Sequence, residues 1–376
     1  MIVVALLSLA IWIGLLLFRD GFWLARDTDE GMAPPPAAWP AVTAIVPARD
    51  EADVIGRAMA SLVAQDYPGD FRIILVDDGS SDGTGAIARR AAGTSDRLTV
   101  IEGSPPPAGW TGKLWAMRNG VETAGAAPTH LWFTDADIAH APDTLRSLVA
   151  RSEQRGLVLD SLMAELRCDS FAEKALIPAF VLFFQMLYPF ARVNRPAAKM
   201  AAAAGGCMLV RREALDRAGG LATIADAIID DCAMGTAMKA QGPIRLSLTR
   251  RSVSLRPYGG WSEIVAMIAR SAYAQLDYAP LLLAGTLAGL ALLYVMPPAF
   301  TLFGHGGTQL AGALAWLAMA VCFQPMLRFY RRSPLWGVAL PAIGVVYGAA
   351  TALSAWQHFQ GRGGMWKGRA QARMQR

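Results

Sequence analysis

Phe71-Arg72-Ile73-Ile74-Leu75-Val76-Asp77-Asp78-Gly79-Ser80-Ser81-Asp82-Gly83-Thr84 is the stretch whose reading decides the fold. An apolar run that stops at two carboxylates and a Gly/Ser turn reads as a buried strand. It delivers acids at its C-terminal end, the edge at which an open α/β sheet binds ligands. A second delivery follows, where His130-Leu131-Trp132-Phe133-Thr134 ends in Asp135-Ala136-Asp137. Carboxylates at i and i+2 of an extended chain point the same way and can present oxygens to one hard divalent cation. Together the two stretches describe an enzyme for phosphorylated ligands.

Outward from them the pattern alternates as βαβα units do. Strands are expected at Val42–Val46, Phe71–Val76, Leu98–Ile101 and His130–Thr134. Helices are expected at Ala52–Ala64, Asp82–Ala91, Lys113–Thr123 and Pro142–Gln154, the last with proline in its first turn. Ahead of this domain, residues 21–41 read as a linker because Pro34, Pro35 and Pro36 are consecutive.

Of the 376 residues, 54% are hydrophobic and 17% charged, an excess for a soluble enzyme. The excess is localised. Ile2–Phe18 is an uncharged apolar stretch that starts with no Lys or Arg and runs into Arg19, which reads as a retained anchor over residues 1–20 rather than a signal peptide. Pro280–Phe303, Gln309–Leu327 and Leu335–Trp356 contain no Asp, Glu, Lys or Arg and are expected as three membrane segments within 280–357. Arg328, Arg331 and Arg332 follow the second of them, whereas the loop Gly304–Thr308 has no Lys or Arg, so the positive-inside rule puts residues 19–279 in the cytoplasm. The basic tail 358–376 leaves two arrangements open for the last segment, crossing or returning, with Pro341, Gly344 and Gly348 as places for a break. The apolar run 175–191, interrupted by Pro178, Gln185 and Pro189, suits a helix at the headgroup boundary or a core helix; residues 259–279 read as an amphipathic helix lying on the bilayer.

Cys168, Cys207, Cys232 and Cys322 show no paired spacing and read as reduced structural thiols, and the four histidines form no metal cluster. A net charge of +5 fits an anionic bilayer, and no basic, aromatic-studded surface points to nucleic acid.

Four pieces in order, Ile45-Val46-Pro47-Ala48-Arg49-Asp50-Glu51, Val76–Thr84, Asp135-Ala136-Asp137 and Ile229-Asp230-Asp231, carry a resemblance. Over residues 42–258 the chain resembles a family 2 glycosyltransferase, which implies an α/β GT-A fold: a Rossmann-like, mostly parallel sheet in a cytoplasmic domain with an N-terminal transmembrane anchor and C-terminal transmembrane helices. The stretches Gly109–Ala116 and Gly205–Arg212, with the membrane layout, are similar to the hopene-associated glycosyltransferases of bacteria.

The resemblance implies roles. Pro47, Asp50, Glu51, Asp77 and Asp78 would bind a nucleotide-sugar donor, UDP-linked, since a carboxylate can accept the imide N–H of uracil or the ribose hydroxyls. Asp135 and Asp137 would hold Mg²⁺ or Mn²⁺ on the donor pyrophosphate. Asp231 would be the base of an inverting transfer, with Asp230 as the alternative. Lys113 and, more weakly, Arg270 would meet the diphosphate. Processive relatives carry Gln-x-x-Arg-Trp here, and Met267-Ile268-Ala269-Arg270-Ser271 keeps only the arginine, which argues against a polysaccharide synthase. The expected product is one sugar on a lipid acceptor, a hopanoid or related lipid, at the bacterial inner membrane. A polyprenyl-phosphate acceptor and a non-catalytic membrane scaffold are the alternatives. As a structural alternative, Asp77 and Asp78 would serve the turn, with Asp82 as the helix cap.

Overall fold

Side chains of Val42–Val46 and Ile73–Val76 are all buried, so these runs lie side by side inside a sheet rather than at its rim. In the computed structural model, which describes residues 1–31, 33–362, 365–366 and 369–370, the strands are β1 (Val42–Ala48), β2 (Phe71–Asp77), β3 (Leu98–Glu102), β4 (His130–Thr134), β5 (Ile138–His140), β6 (Leu159–Glu165), β7 (Cys207–Arg211) and β8 (Ile244–Ser254). They form one mixed sheet in the order β3-β2-β1-β4-β7-β6-β8-β5. β3, β2, β1 and β4 pair in parallel; β7 enters antiparallel between β4 and β6, and the short β5 closes the far edge antiparallel to β8. The C-terminal ends of β1, β2 and β4 therefore meet on one rim. The expected first-half strands and helices are present with shifts of one or two residues at their ends. Pro142 lies outside its helix, Thr144–Arg155, because its carbonyl instead accepts the Asp66 N–H at 2.9 Å.

Residues 27–29 of the proline-flanked stretch are hydrogen-bonded alongside β8. Leu248 donates to the Asp27 carbonyl, Asp29 donates back to that of Leu248, and the Asp29 carboxylate takes Thr249 Oγ1 at 2.6 Å and Arg251 Nη1 at 3.2 Å. Backbone pairing with β8, together with the Asp29 carboxylate held by two side chains of that strand, explains why this stretch docks on the sheet.

Four helical stretches are long and apolar enough to cross a membrane: Phe171–Val193, Pro280–Phe303, Gly307–Phe329 and Pro334–Phe359. The first runs unbroken through Pro178 as Phe171–Leu187, stops at Tyr188 ahead of Pro189, and contributes Leu176, Ile177, Val181 and Leu182 to the main core. Ile2–Phe18 packs on the C-terminal helices and answers a local defect there. A π-helical turn at Ala291–Val295 loosens the backbone ladder. Ser8 Oγ then donates to the Leu292 carbonyl at 2.9 Å and Trp12 Nε1 to that of Leu293 at 3.0 Å.

The last segment enters the bundle and comes back. Its start lies at the end nearest the sheet, where Tyr330 Oη meets Leu166 N–H and Arg250 donates to the Phe329 carbonyl. The 3₁₀ stretch Pro334–Ala339 then descends about 12 Å along Gly307–Phe329 by the rise of that helix. Its carbonyls are answered by Gln324 Nε2 at Pro334 and Trp316 Nε1 at Val338. The helix Leu340–Phe359 returns past Tyr294 and Leu290 until Ser354 Oγ accepts the Tyr273 N–H and the His358 ring stacks on Tyr278 at 4.4 Å. No break occurs at Pro341, Gly344 or Gly348, because the turn is made earlier, where side chains satisfy the non-helical backbone. Of the tail's basic residues, Lys367, Arg373 and Arg376 lie outside the described residues.

All four native cysteines are buried, so single introduced cysteines report topology cleanly. In sealed vesicles, a membrane-impermeant maleimide is expected to label Gln360→Cys from the same face as Glu122→Cys, and His305→Cys from the opposite face. Labelling of positions 360 and 305 from one face contradicts the returning hairpin.

Candidate active site

Three segments distant in sequence meet at one ammonium group. Thr111 caps the helix Gly112–Ala124 by accepting the Leu114 N–H, which sets Lys113 in its first turn. The Lys113 Nζ lies 2.9 Å from Asp135 Oδ1 and 2.9 Å from Asp230 Oδ2. Burial alone would lower the lysine pKa, but the two carboxylates hold it well above the usual range. Burial would likewise raise Asp135, and Lys113 together with Arg270 and Arg256 brings it below the ordinary carboxylate value.

The next residue in the helix Asp230–Lys239 is treated differently. Asp231 accepts the Gly205 N–H at 3.0 Å and the Cys232 N–H at 2.8 Å and makes no ion pair among the described residues. Burial first, then the charge of Asp230, pushes it up to about 6, against the opposing pull of Lys113. Gly205 leaves room for the ammonium: a Cβ there would stand 3.3 Å from Lys113 Nζ and 3.5 Å from Asp231 Cβ.

A second cation ties the far side together. Arg256, just beyond β8, pairs through Nε with Asp137 Oδ2 at 2.8 Å and through Nη2 with Glu51 Oε1 at 2.7 Å. Sequence reasoning missed this residue because β8 was not assigned; the alternation of Ile244, Leu246 and Leu248 was the available signal. The pair Asp135/Asp137 also differs from its expected form. The residues occupy a turn between β4 and β5, where Ile138 donates back to the Asp135 carbonyl, so each carboxylate reaches a different cation instead of pointing in parallel from an extended strand. His140 steadies this turn. Its ring nitrogens lie 2.8 Å from Thr134 Oγ1 and from Ser252 Oγ, Thr134 in turn donates to the Gly206 carbonyl, and burial lowers the imidazole to about 3, so it stays neutral.

These groups face one cavity of about 1200 Å³. Pro47, Glu51, Lys113, Asp135, Asp137, Asp230, Asp231 and Arg270 all line it, which brings eight of the eleven expected site residues together. Arg270 is exposed there and makes no ion pair among the described residues. Asp50, Asp77 and Asp78 do not line it; they build the neighbouring loop. Asp77 Oδ1 accepts the Ser80 N–H, and its other oxygen lies where a Cβ on Gly85 would be 2.8 Å away, so this side chain belongs to the turn. Asp50 adopts the left-handed region at φ 48°, held by Ser80 and Ser81. Asp78 is buried under Arg49, whose Nη1 also donates to the Asp78 carbonyl. Asp82 bonds the first N–H groups of two helices, those of Ala52 and Thr84, so it caps both where one cap was expected.

Residues 43–219 match the family model described as Glycosyl transferase family 2. Over these residues, just under half of its length, the chain is similar to family 2 glycosyltransferases. A mannosyltransferase of Pyrobaculum calidifontis, solved with GDP-Man and Mn²⁺, superposes with a TM-score of 0.57 at 23% identity, over 95% of this chain and 99% of that one, and shares its GT-A fold. A 4,4'-diaponeurosporenoate glycosyltransferase of Staphylococcus aureus is 33% identical over 117 residues, 31% of this chain and 29% of that protein. The match thus spans under a third of the length of the curated relatives. The Asp135–Asp137 turn lies inside the matched residues, and Asp231 and Arg256 lie beyond them.

If Asp231, raised to about 6, is the base that the resemblance implies, kcat/KM is expected to be flat above pH 7 and to fall about tenfold per unit below pH 6, because only its deprotonated form accepts a proton. Asp231→Asn is expected to lower kcat by about 10² to 10⁴ and to abolish the acidic limb of the residual rate. A residual rate with the limb intact would assign the titration to another group.

Proposed function

We propose that this protein is a membrane-bound inverting glycosyltransferase that moves one sugar from a nucleotide-sugar donor, UDP-linked, to a lipid acceptor of the hopanoid or related class. The observation that carries the reading is the different setting of two adjacent acids in one cavity: Asp230 is paired with Lys113, while Asp231 beside it accepts two backbone N–H groups and makes no ion pair among the described residues.

In this reading the acceptor oxygen attacks the anomeric carbon, its proton passes to Asp231, and the bond from that carbon to the diphosphate breaks on the opposite side. Charge then grows on the departing nucleoside diphosphate. Lys113, Arg270 and Arg256 are among the cations that line the cavity and would receive it. Asp50, Glu51 and Asp78, on the loops after β1 and β2, would hold the nucleoside beside Pro47.

A divalent cation fits this donor set in one particular way. Among the described residues no three acidic, histidine or cysteine side chains are grouped as a metal site. Asp135 and Asp137 offer two hard carboxylates, the number with which Mg²⁺ or Mn²⁺ is held when substrate phosphates and water complete its shell. Bound there, the cation would neutralise the leaving diphosphate.

Support for a lipid acceptor comes from the apolar helices that wall the same cavity and from the S. aureus relative, whose named acceptor, diaponeurosporenoate, bears on the apolar part alone, since its headgroup is a carboxylate. Arg328, Arg331 and Arg332 lie at the sheet-proximal end of the bundle and the loop Gly304–Thr308 at the other, which supports a cytoplasmic sheet domain at the bacterial inner membrane.

Membranes containing the protein, given Mn²⁺ and radiolabelled UDP- or GDP-sugars, are expected to yield a labelled chloroform-soluble product. Asp135→Ala and Asp231→Asn are each expected to reduce it by about 10² or more. No labelled lipid with any nucleotide sugar contradicts the reading, and near-normal turnover in Asp231→Asn alone would favour a phosphate acceptor.

A further inference from the structure

The cavity is larger than one polar substrate requires, since ligand pockets usually measure about 300–1,000 Å³, and this one reaches about 1200 Å³. Its polarity is divided. The acids occupy one end; the other is walled by Phe180, Phe183 and Phe184, by Thr286, and by Tyr347 and Thr351 of the returning helix.

Two observations about that second end point outward. The helix Pro280–Leu290 has no buried residue, and only 11% of the most apolar part of Pro280–Phe303 is buried, against 44% for Gly307–Phe329 and 50% for Pro334–Phe359. Pro280–Leu290, which contributes Thr286 to the cavity wall, is thus the least covered of the C-terminal helices. Its neighbour Leu340–Phe359 contributes Tyr347, Thr351 and Trp356 to the same wall, and Trp356, 55% exposed, is an amphipathic ring of the kind found at bilayer interfaces.

The inner end selects by charge. Among the described residues, six acidic side chains line the cavity against four basic ones. Lys113 and Arg256 each already pair with two of the acids. A nucleotide donor arrives with a divalent cation, whereas an anionic acceptor headgroup brings none and would add like charge beside Asp230 and Asp231.

We propose that the acceptor is a long apolar molecule ending in an uncharged hydroxyl, and that it reaches Asp231 from within the bilayer between Pro280–Leu290 and Leu340–Phe359. The inference rests on the transferase reading above and adds the path and the headgroup class. It also gives the returning hairpin a purpose: a helix that begins deep in the bundle and rises to the cavity mouth lines an acceptor along its length.

The test uses the full chain in liposomes with a long-chain alcohol carrying a mid-chain diazirine, irradiated and mapped by peptide mass spectrometry. Labels are expected on Phe180–Leu187, Thr286 and Thr351, and unlabelled alcohol is expected to suppress them at about tenfold lower concentration than the monophosphate of the same chain. Labels confined to the outward-facing Leu281, Leu282, Leu310 and Leu317 and insensitive to competitor would overturn the path. Equal or better competition by the monophosphate would overturn the headgroup class. Calorimetry of UDP and GDP with Mn²⁺ on the same preparation separates the two levels. Nucleotide binding with misplaced labels defeats only this inference, whereas correct labels without nucleotide binding defeat the transferase reading.

Discussion

The arrangement of the site depends on one buried ammonium. Acidic side chains crowded into a half-enclosed cavity repel one another and resist desolvation, and they are tolerated where a cation is shared among them. Lys113 supplies that cation to Asp135 and Asp230, and so joins the N-terminus of one helix, the turn after β4 and the N-terminus of another helix. Arg256 does the same for Asp137 and Glu51 and draws the end of β8 to the loop after β1. Asp231 is left outside both pairings, and its distinct behaviour follows from that exclusion. Each cation is thus a structural tie and a reserve of positive charge facing the space where a diphosphate would lie.

The membrane part obeys the complementary rule, that backbone polar groups in an apolar medium need partners. The π-turn at Ala291–Val295 and the 3₁₀ descent at Pro334–Ala339 are the two places where a helix ladder fails among the C-terminal segments. Ser8 and Trp12 answer the first; Gln324 and Trp316 answer the second. The N-terminal helix is therefore part of the bundle as well as an expected anchor. Because the sheet-proximal end of the bundle is bonded to the sheet through Tyr330 and Arg250, the apolar wall of the cavity is held in register with its acids.

Much of the first half was legible in the sequence because its strands are apolar runs that end in carboxylates, and its helices carry a clear 3.6-residue pattern. Of the candidate site residues, Asp135 and Asp137 were legible as acids following a strand and Asp230, Asp231 and Lys113 only through the resemblance, while Asp77, also at a strand end, serves the turn. Three features were not. β5 is three residues long, below the length at which periodicity speaks, and its pairing is fixed only by β8 arriving from a distance; β7 enters antiparallel between β4 and β6, strands far from it in sequence. Arg256 sits after that strand and looked like any surface arginine. The division of labour between Asp230 and Asp231 depends on which oxygen Lys113 reaches, a three-dimensional fact without a sequence signature. The last segment's return was visible only as an imbalance of basic residues, since the side chains that permit it, Trp316 and Gln324, lie in a different helix.

If Lys113 and Arg256 stand in for the charge that a nucleotide with its metal would bring, then cation and nucleotide must bind together. Titration of Mn²⁺ into the purified protein, followed by electron paramagnetic resonance with and without UDP or GDP, tests this most directly. The account predicts weak Mn²⁺ binding to the protein alone, at least about tenfold tighter binding once nucleotide is present, and loss of that enhancement in Asp135→Ala. Equally tight Mn²⁺ binding without nucleotide, or an enhancement unchanged by Asp135→Ala, would contradict it.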